Sequence, residues 1–151
     1  MGIGLSAFDA GEMGGKDPNW CDPYPNYIVT QGLHAQVYGQ MAVDLTAGKG
    51  AHIRAPVSGV VTGLFSDQYN NTTLVIQGDR YIVTMLHGNY WVSVGQHVEM
   101  CGVVGEEWNN GYTLDANGNL CAGRDCGYHT HLNIFDMTTM TNIDPFTLLS
   151  H

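Results

Sequence analysis

The chain has 151 residues, a net charge of −9 and 20 glycines. That length suits one domain with one core, and scarce charge beside abundant glycine points to many turns and short strands, not long surface helices. The five cations, Lys16, Lys49, Arg54, Arg80 and Arg124, are scattered; with no basic cluster to meet phosphates, no nucleic-acid partner is expected, and the acidic balance and lack of a long apolar run argue against membrane insertion.

Residues 1–27 read as an irregular arm. Met1-Gly2-Ile3-Gly4-Leu5 lacks the basic and apolar regions of a signal peptide. Asp17-Pro18-Asn19-Trp20-Cys21-Asp22-Pro23-Tyr24-Pro25 is too rich in proline for helix or sheet, so it should pack on the domain through Trp20 and the tyrosines. From residue 28 to 151 the pattern is β. Strands are expected over Tyr27–Thr30, Met41–Leu45, Gly59–Phe65, Thr73–Gln77, Tyr81–Leu86, Val92–Val98, Gly102–Gly105 and His129–Phe135. Gly78-Asp79-Arg80 turns a hairpin between two of them. Residues 106–126 are polar and turn-rich, and read as an inserted loop. The tail Ile143–Leu149 suits a short helical turn. No segment holds a helical period, so the expected class is all-β.

The even number of cysteines in a glycine-rich, lysine-poor chain fits an oxidising, extracytoplasmic compartment. Cys121 and Cys126 would close a short loop, leaving Cys21 for Cys101; three connectivities are possible, and sequence alone does not choose among them.

His129-Thr130-His131 is the strongest local signal for chemistry. Residues two apart on a strand share a face, so both imidazoles can reach one site. His87 follows a strand and Asp44 ends another, and one carboxylate with imidazoles from several strands is a common hydrolytic zinc environment. Asp44, His87, His129 and His131 are therefore expected to converge. His52 and His97 are expected at the surface. Asp115, Asn117 and Asn119 alternate like the start of a calcium loop but lack its terminal Glu, which favours a plain turn.

In order along the chain, Val29-Thr30-Gln31-Gly32, Ala42-Val43-Asp44-Leu45, Gly50-Ala51-His52-Ile53-Arg54-Ala55-Pro56-Val57-Ser58-Gly59-Val60-Val61, Met85-Leu86-His87, Val94-Gly95-Gln96-His97-Val98, Gly127-Tyr128-His129-Thr130-His131-Leu132 and Ile143-Asp144-Pro145 resemble the lysostaphin/LytM-type zinc endopeptidases of bacterial peptidoglycan. The resemblance implies the duplicated-hybrid-motif β-sheet fold with an open groove. It implies Asp44 and His131 as zinc ligands and His87 and His129 as catalytic residues flanking the bound water. It also implies cell-wall peptides as partners, and leaves room for a protein partner in an envelope or phage assembly.

The sequence departs from that family at one position. The third metal ligand is a His four residues before the Asp, where this chain has Gln40. A neutral amide oxygen is a weaker zinc ligand than imidazole. The leading expectation is thus a degenerate domain, with a weakened or lost zinc site, that binds cell-wall peptides or acts as a scaffold. The alternative is an active endopeptidase whose altered site is completed by Gln40 or by His34, six residues upstream of it. A lone loop histidine such as His34 is expected at the surface. A third possibility is a likeness of fold alone, with the site serving something unrelated.

Overall fold

The computed structural model describes residues 17–150. The chain forms β1 (Ile28–His34), β2 (Ala42–Thr46), β3 (His52–Arg54), β4 (Gly59–Ser66), β5 (Thr72–Gln77), β6 (Tyr81–Leu86), β7 (Asn89–Tyr90), β8 (His97–Val98), β9 (Val103–Glu106), β10 (Thr130–Asp136) and β11 (Thr141–Ile143). Among the described residues, two short 3-10 turns accompany them, Gln36–Tyr38 and Pro145–Thr147. The class is all-β, as the glycine-punctuated alternation implied.

The main sheet runs β1-β2-β10-β6-β5-β4-β8, with β11 also paired to β10. A smaller sheet runs β3-β9-β7. The pairs are antiparallel. Alternation assigns the two faces of the large sheet. Val43, Leu45, Val83, Met85, Leu132 and Ile134 point into the core, where Ile53 and Val104 of the small sheet meet them. Asp44, His131 and Asn133 point the other way, onto the face that carries the site.

The proline-rich segment before β1 does pack on the domain. Trp20 and Tyr24 are fully buried, and Asp22 receives the Trp20 indole N–H and the Tyr27 hydroxyl. Residues 1–16 of the expected arm, and His151, lie outside the described residues. The disulfides are Cys21–Cys101 and Cys121–Cys126.

Three strand expectations need correction. β1 continues to His34, because its outer residues keep pairing with β2 across two register shifts. The expected strand Val92–Val98 is a strand only at His97–Val98. Ser93 to Gln96 closes a turn instead, with Gly95 at φ 92° and the Gln96 amide donating to the Ser93 carbonyl. β3, β7 and β11 are absent from the expected strands: each is only two or three residues long, β3 and β7 flanking β9 in the small sheet and β11 extending the pairing along β10.

Candidate metal and catalytic site

One rung of the large sheet carries the site. Asp44 on β2 lies opposite His131 on β10, and His131 lies opposite Leu86 at the end of β6. Directly opposed residues share a face, so Asp44 and His131 meet. His87 follows Leu86 with a backbone φ of 85°. This left-handed residue breaks the alternation, and its ring centroid stands 4.6 Å from that of His129 and 6.3 Å from that of His131. The structure thus brings Asp44, His87, His129 and His131 together.

It also brings in His34. Ala42 and Asp44 are two apart on β2, and His34 pairs with Ala42 across the hairpin, so all three residues share a face. The connection returns tightly through left-handed Ala35 and Gly39. His34 Nε2, Asp44 Oδ1 and His131 Nδ1 then form a triangle with sides of 3.3, 3.2 and 3.2 Å. His34 is not a solvated loop residue, since its side chain is 20% exposed. Gln40, expected as the third ligand, is elsewhere: its Oε1 lies 3.1 Å from His131 Nε2, on the far side of that ring.

The hydrogen bonds fix which atoms face inward. His34 Nδ1 is 2.7 Å from the Gly32 carbonyl, so its N–H donates there and leaves Nε2 as a lone pair. His131 Nε2–H donates to Gln40 in the same way and leaves Nδ1 as a lone pair. Three acceptors, two imidazole nitrogens and a carboxylate oxygen, therefore converge with no donor among them. Asp44 Oδ1 is buried and makes no hydrogen bond. That arrangement is repulsive unless a cation sits at the open side of the triangle. Donors at about 2.0–2.1 Å from a tetrahedral zinc stand about 3.3–3.4 Å apart, which matches these edges. The three residues could hold a metal ion, and they fit one.

The other two histidines are oriented by the same device. His87 Nδ1–H donates to the Asn110 carbonyl at 2.8 Å, and His129 Nδ1–H to the Gly127 carbonyl at 2.8 Å. Each keeps Nε2 free, and that of His129 is 3.6 Å from Asp44 Oδ2. Burial, then the neighbouring His129, pushes His87 down to a pKa of about 4, so it is neutral at neutral pH. Where no cation is bound, protonated imidazoles would supply the positive charge instead: burial raises the Asp44 carboxyl, but a hydrogen bond from His131 and the charges of His129, His131 and His34 then hold it below the usual carboxylate range.

The 106–126 segment walls the site. Trp108 forms an isolated antiparallel bridge with His129, and Asn110 holds His87. Asn109, between them, is buried, and its Nδ2 donates to the carbonyls of Cys121, Arg124 and Cys126 at 2.8–3.0 Å. Sequence reading did not single out Asn109 or Asn110; polar residues in an irregular segment carry no periodic signal. His52 and His97 are exposed, as expected. Asp115 caps a turn by accepting from the Asn117 and Asn119 amides, at 2.9 Å each.

No protein-family model matches this sequence, and no curated protein matches it. Solved structures do match. The antimicrobial peptidase lysostaphin from Staphylococcus simulans aligns with a TM-score of 0.61 at 18% identity, over 82% of this chain and 49% of lysostaphin. LytU aligns at 0.58 and 22% identity, over 85% of this chain and 88% of its own. A zinc-containing peptidase from Vibrio cholerae aligns at 0.59 and 21% identity, over 82% of this chain and 38% of that one. This chain therefore spans about half the length of lysostaphin. The chain has the fold of the lysostaphin/LytM-type M23 peptidases.

Proposed function

We propose that the domain is an active zinc endopeptidase of cell-wall peptides, with His34, Asp44 and His131 as metal ligands and His87 and His129 as catalytic residues. One observation carries this reading: the donor-free triangle of His34 Nε2, Asp44 Oδ1 and His131 Nδ1. It favours the active alternative over the degenerate one, because His34 supplies the imidazole that Gln40 lacks. Gln40 then acts behind the ligands, fixing the tautomer and angle of His131.

Zinc held by these residues would polarise the scissile carbonyl and lower the pKa of a bound water. The chain's own histidines do the rest. His87 and His129 keep Nε2 lone pairs on rings whose centroids are 4.6 Å apart, so either can accept a proton from the attacking water. Once protonated, that nitrogen can donate to the developing oxyanion or to the leaving amine. The carbonyls of Asn110 and Gly127 hold both rings in this orientation before substrate arrives. The disulfides fit an extracytoplasmic location, where cell-wall peptides are met.

Metal analysis of the purified chain tests this. One zinc per chain is expected, with cleavage of peptidoglycan or glycine-rich peptides abolished by chelation. His34→Ala should lose the zinc, whereas Gln40→Ala should keep its stoichiometry with affinity weakened about 10–100-fold. Full occupancy in His34→Ala with loss in Gln40→Ala would reverse the ligand assignment. A folded wild-type chain that takes up no zinc would restore the degenerate reading.

A further inference from the structure

Beside the catalytic histidines the 106–126 segment encloses a cleft of about 500 Å³. Its rim joins the site directly, since it includes Trp108, which bridges to His129, and Asn110, which holds His87. Two of the cations that look dispersed in the sequence share one cleft here. Lys49 and Arg124 both line this one cleft, in a chain of net charge −9.

Lys49 is held in place by aromatic rings. Its Nζ lies 5.4 Å from the centroids of Trp108 and of Tyr128, which themselves meet edge to face at 5.3 Å. The ammonium is thus fixed over two ring faces. Its partner is Asp125, whose side chain is 79% exposed. Asp125 Oδ1 takes the Lys49 ammonium at 2.9 Å and the Tyr128 hydroxyl at 2.7 Å. Lys49 and Tyr128 therefore already form a two-donor seat of the right size for a carboxylate, filled by a solvent-exposed one from the chain itself. Arg124 adds a planar fork with two of its nitrogens engaged, by Leu120 O and Asp115 Oδ2, and further N–H groups left over. The Cys121–Cys126 bridge and the three bonds from Asn109 pin the short loop that carries Arg124 and Asp125.

We propose that this cleft is a recognition site for a carboxylate-bearing residue of the substrate peptide. The anion displaces Asp125 from Lys49 and Tyr128, Arg124 takes its second oxygen, and the aliphatic stem lies on Trp108. Such a site would select peptides with free carboxylates and present the neighbouring bond to His87 and His129. This rests on the reading of the domain as a cell-wall peptidase.

Calorimetric titration of the whole protein separates the outcomes. The probes are a synthetic cell-wall stem tetrapeptide with free carboxylates and the same peptide with every carboxylate amidated. Wild type is expected to bind the free acid at least tenfold more tightly, and Lys49→Met to bring that ratio close to one. Asp125→Asn should tighten binding of the free acid threefold or more, because the competing carboxylate is gone; a merely structural Asp125 could not give that sign. Equal affinity for the two peptides, binding to neither, or an Asp125→Asn loss as large as that of Lys49→Met would each overturn the proposal. Carboxylate preference with no cleavage of peptidoglycan or glycine-rich peptides would sustain the cleft and sink the peptidase reading. Hydrolysis of both peptides at equal kcat/KM would do the reverse.

Discussion

His87 combines two costly features. Its φ of 85° is a region that charges a non-glycine residue about 1–2 kcal/mol, and its ring is buried beside other imidazoles. Residues held in such backbone geometry concentrate where function demands them. The left-handed turn puts its ring beside His129, and the Asn110 carbonyl locks its tautomer. Its protonation is linked to folding. The folded pKa of about 4 is below the ordinary value of 6.5, so between those pH values the unfolded chain binds more protons. Stability from this group is full above pH 6.5 and falls as pH drops towards 4. The metal-free protein should therefore lose melting temperature across that window. His87→Asn, which tolerates the left-handed backbone, should flatten that part of the curve in a thermal melt series. An unchanged slope would show that other groups set it.

At the scale of elements, the site depends on four neighbouring strands, β1 with His34 among them, and one irregular wall. β2, β10 and β6 deliver Asp44, His131 and His87 to one rung because antiparallel register fixes which residues face each other. The wall has no such ladder, so side chains do the ordering. Asn109 gathers three carbonyls, and Glu107, fully buried, accepts from Thr46 Oγ1 and from the Ala47 and Gly48 amides. The latter clamps the turn that follows β2 to the end of β9. Asn109→Ala should cost about 2 kcal/mol, the scale for stranding buried polar groups, in chemical denaturation. It should also open residues 106–126 to proteolysis well before the strands are cut. Glu107→Ala should have a similar cost without exposing that segment, because its partners Thr46, Ala47 and Gly48 belong to the end of β2 and the turn after it.

For the whole molecule, the two disulfides do different things. Cys21–Cys101 spans 80 residues and ties the proline-rich segment, with Trp20 and Tyr24, to the main core. Cys121–Cys126 spans 5 residues and shapes only the wall. Loop-closure entropy scales with the logarithm of loop length, giving about 4–5 kcal/mol for the long bridge and about 2 kcal/mol for the short one. Replacing Cys21 and Cys101 by Ser should therefore lower global stability roughly twice as much as replacing Cys121 and Cys126. Urea midpoints measured on both double variants would check the order. The short-bridge variant should instead show the larger loss of peptide binding, since its loop carries Arg124.

By itself the sequence determined the all-β class, most of the strands, and the four residues Asp44, His87, His129 and His131. These are legible because alternation is local: His129 and His131 sit two apart, and Asp44 and His87 stand on or just after recognisable strands. The short loop from Cys121 to Cys126 favoured one disulfide pairing, but three stayed open in the sequence, and the fold chose among them by bringing Cys21 to Cys101 across 80 residues. Only the tertiary structure decided the place of His34. Its partnership with Asp44 runs across a hairpin with register shifts and a left-handed turn, none of which leaves a periodic trace. For the same reason Gln40, aligned by spacing with a ligand, lies behind His131. The placing of Lys49 and Arg124 on one cleft is likewise a product of folding, because residues far apart in sequence come to line the same space only when the chain folds.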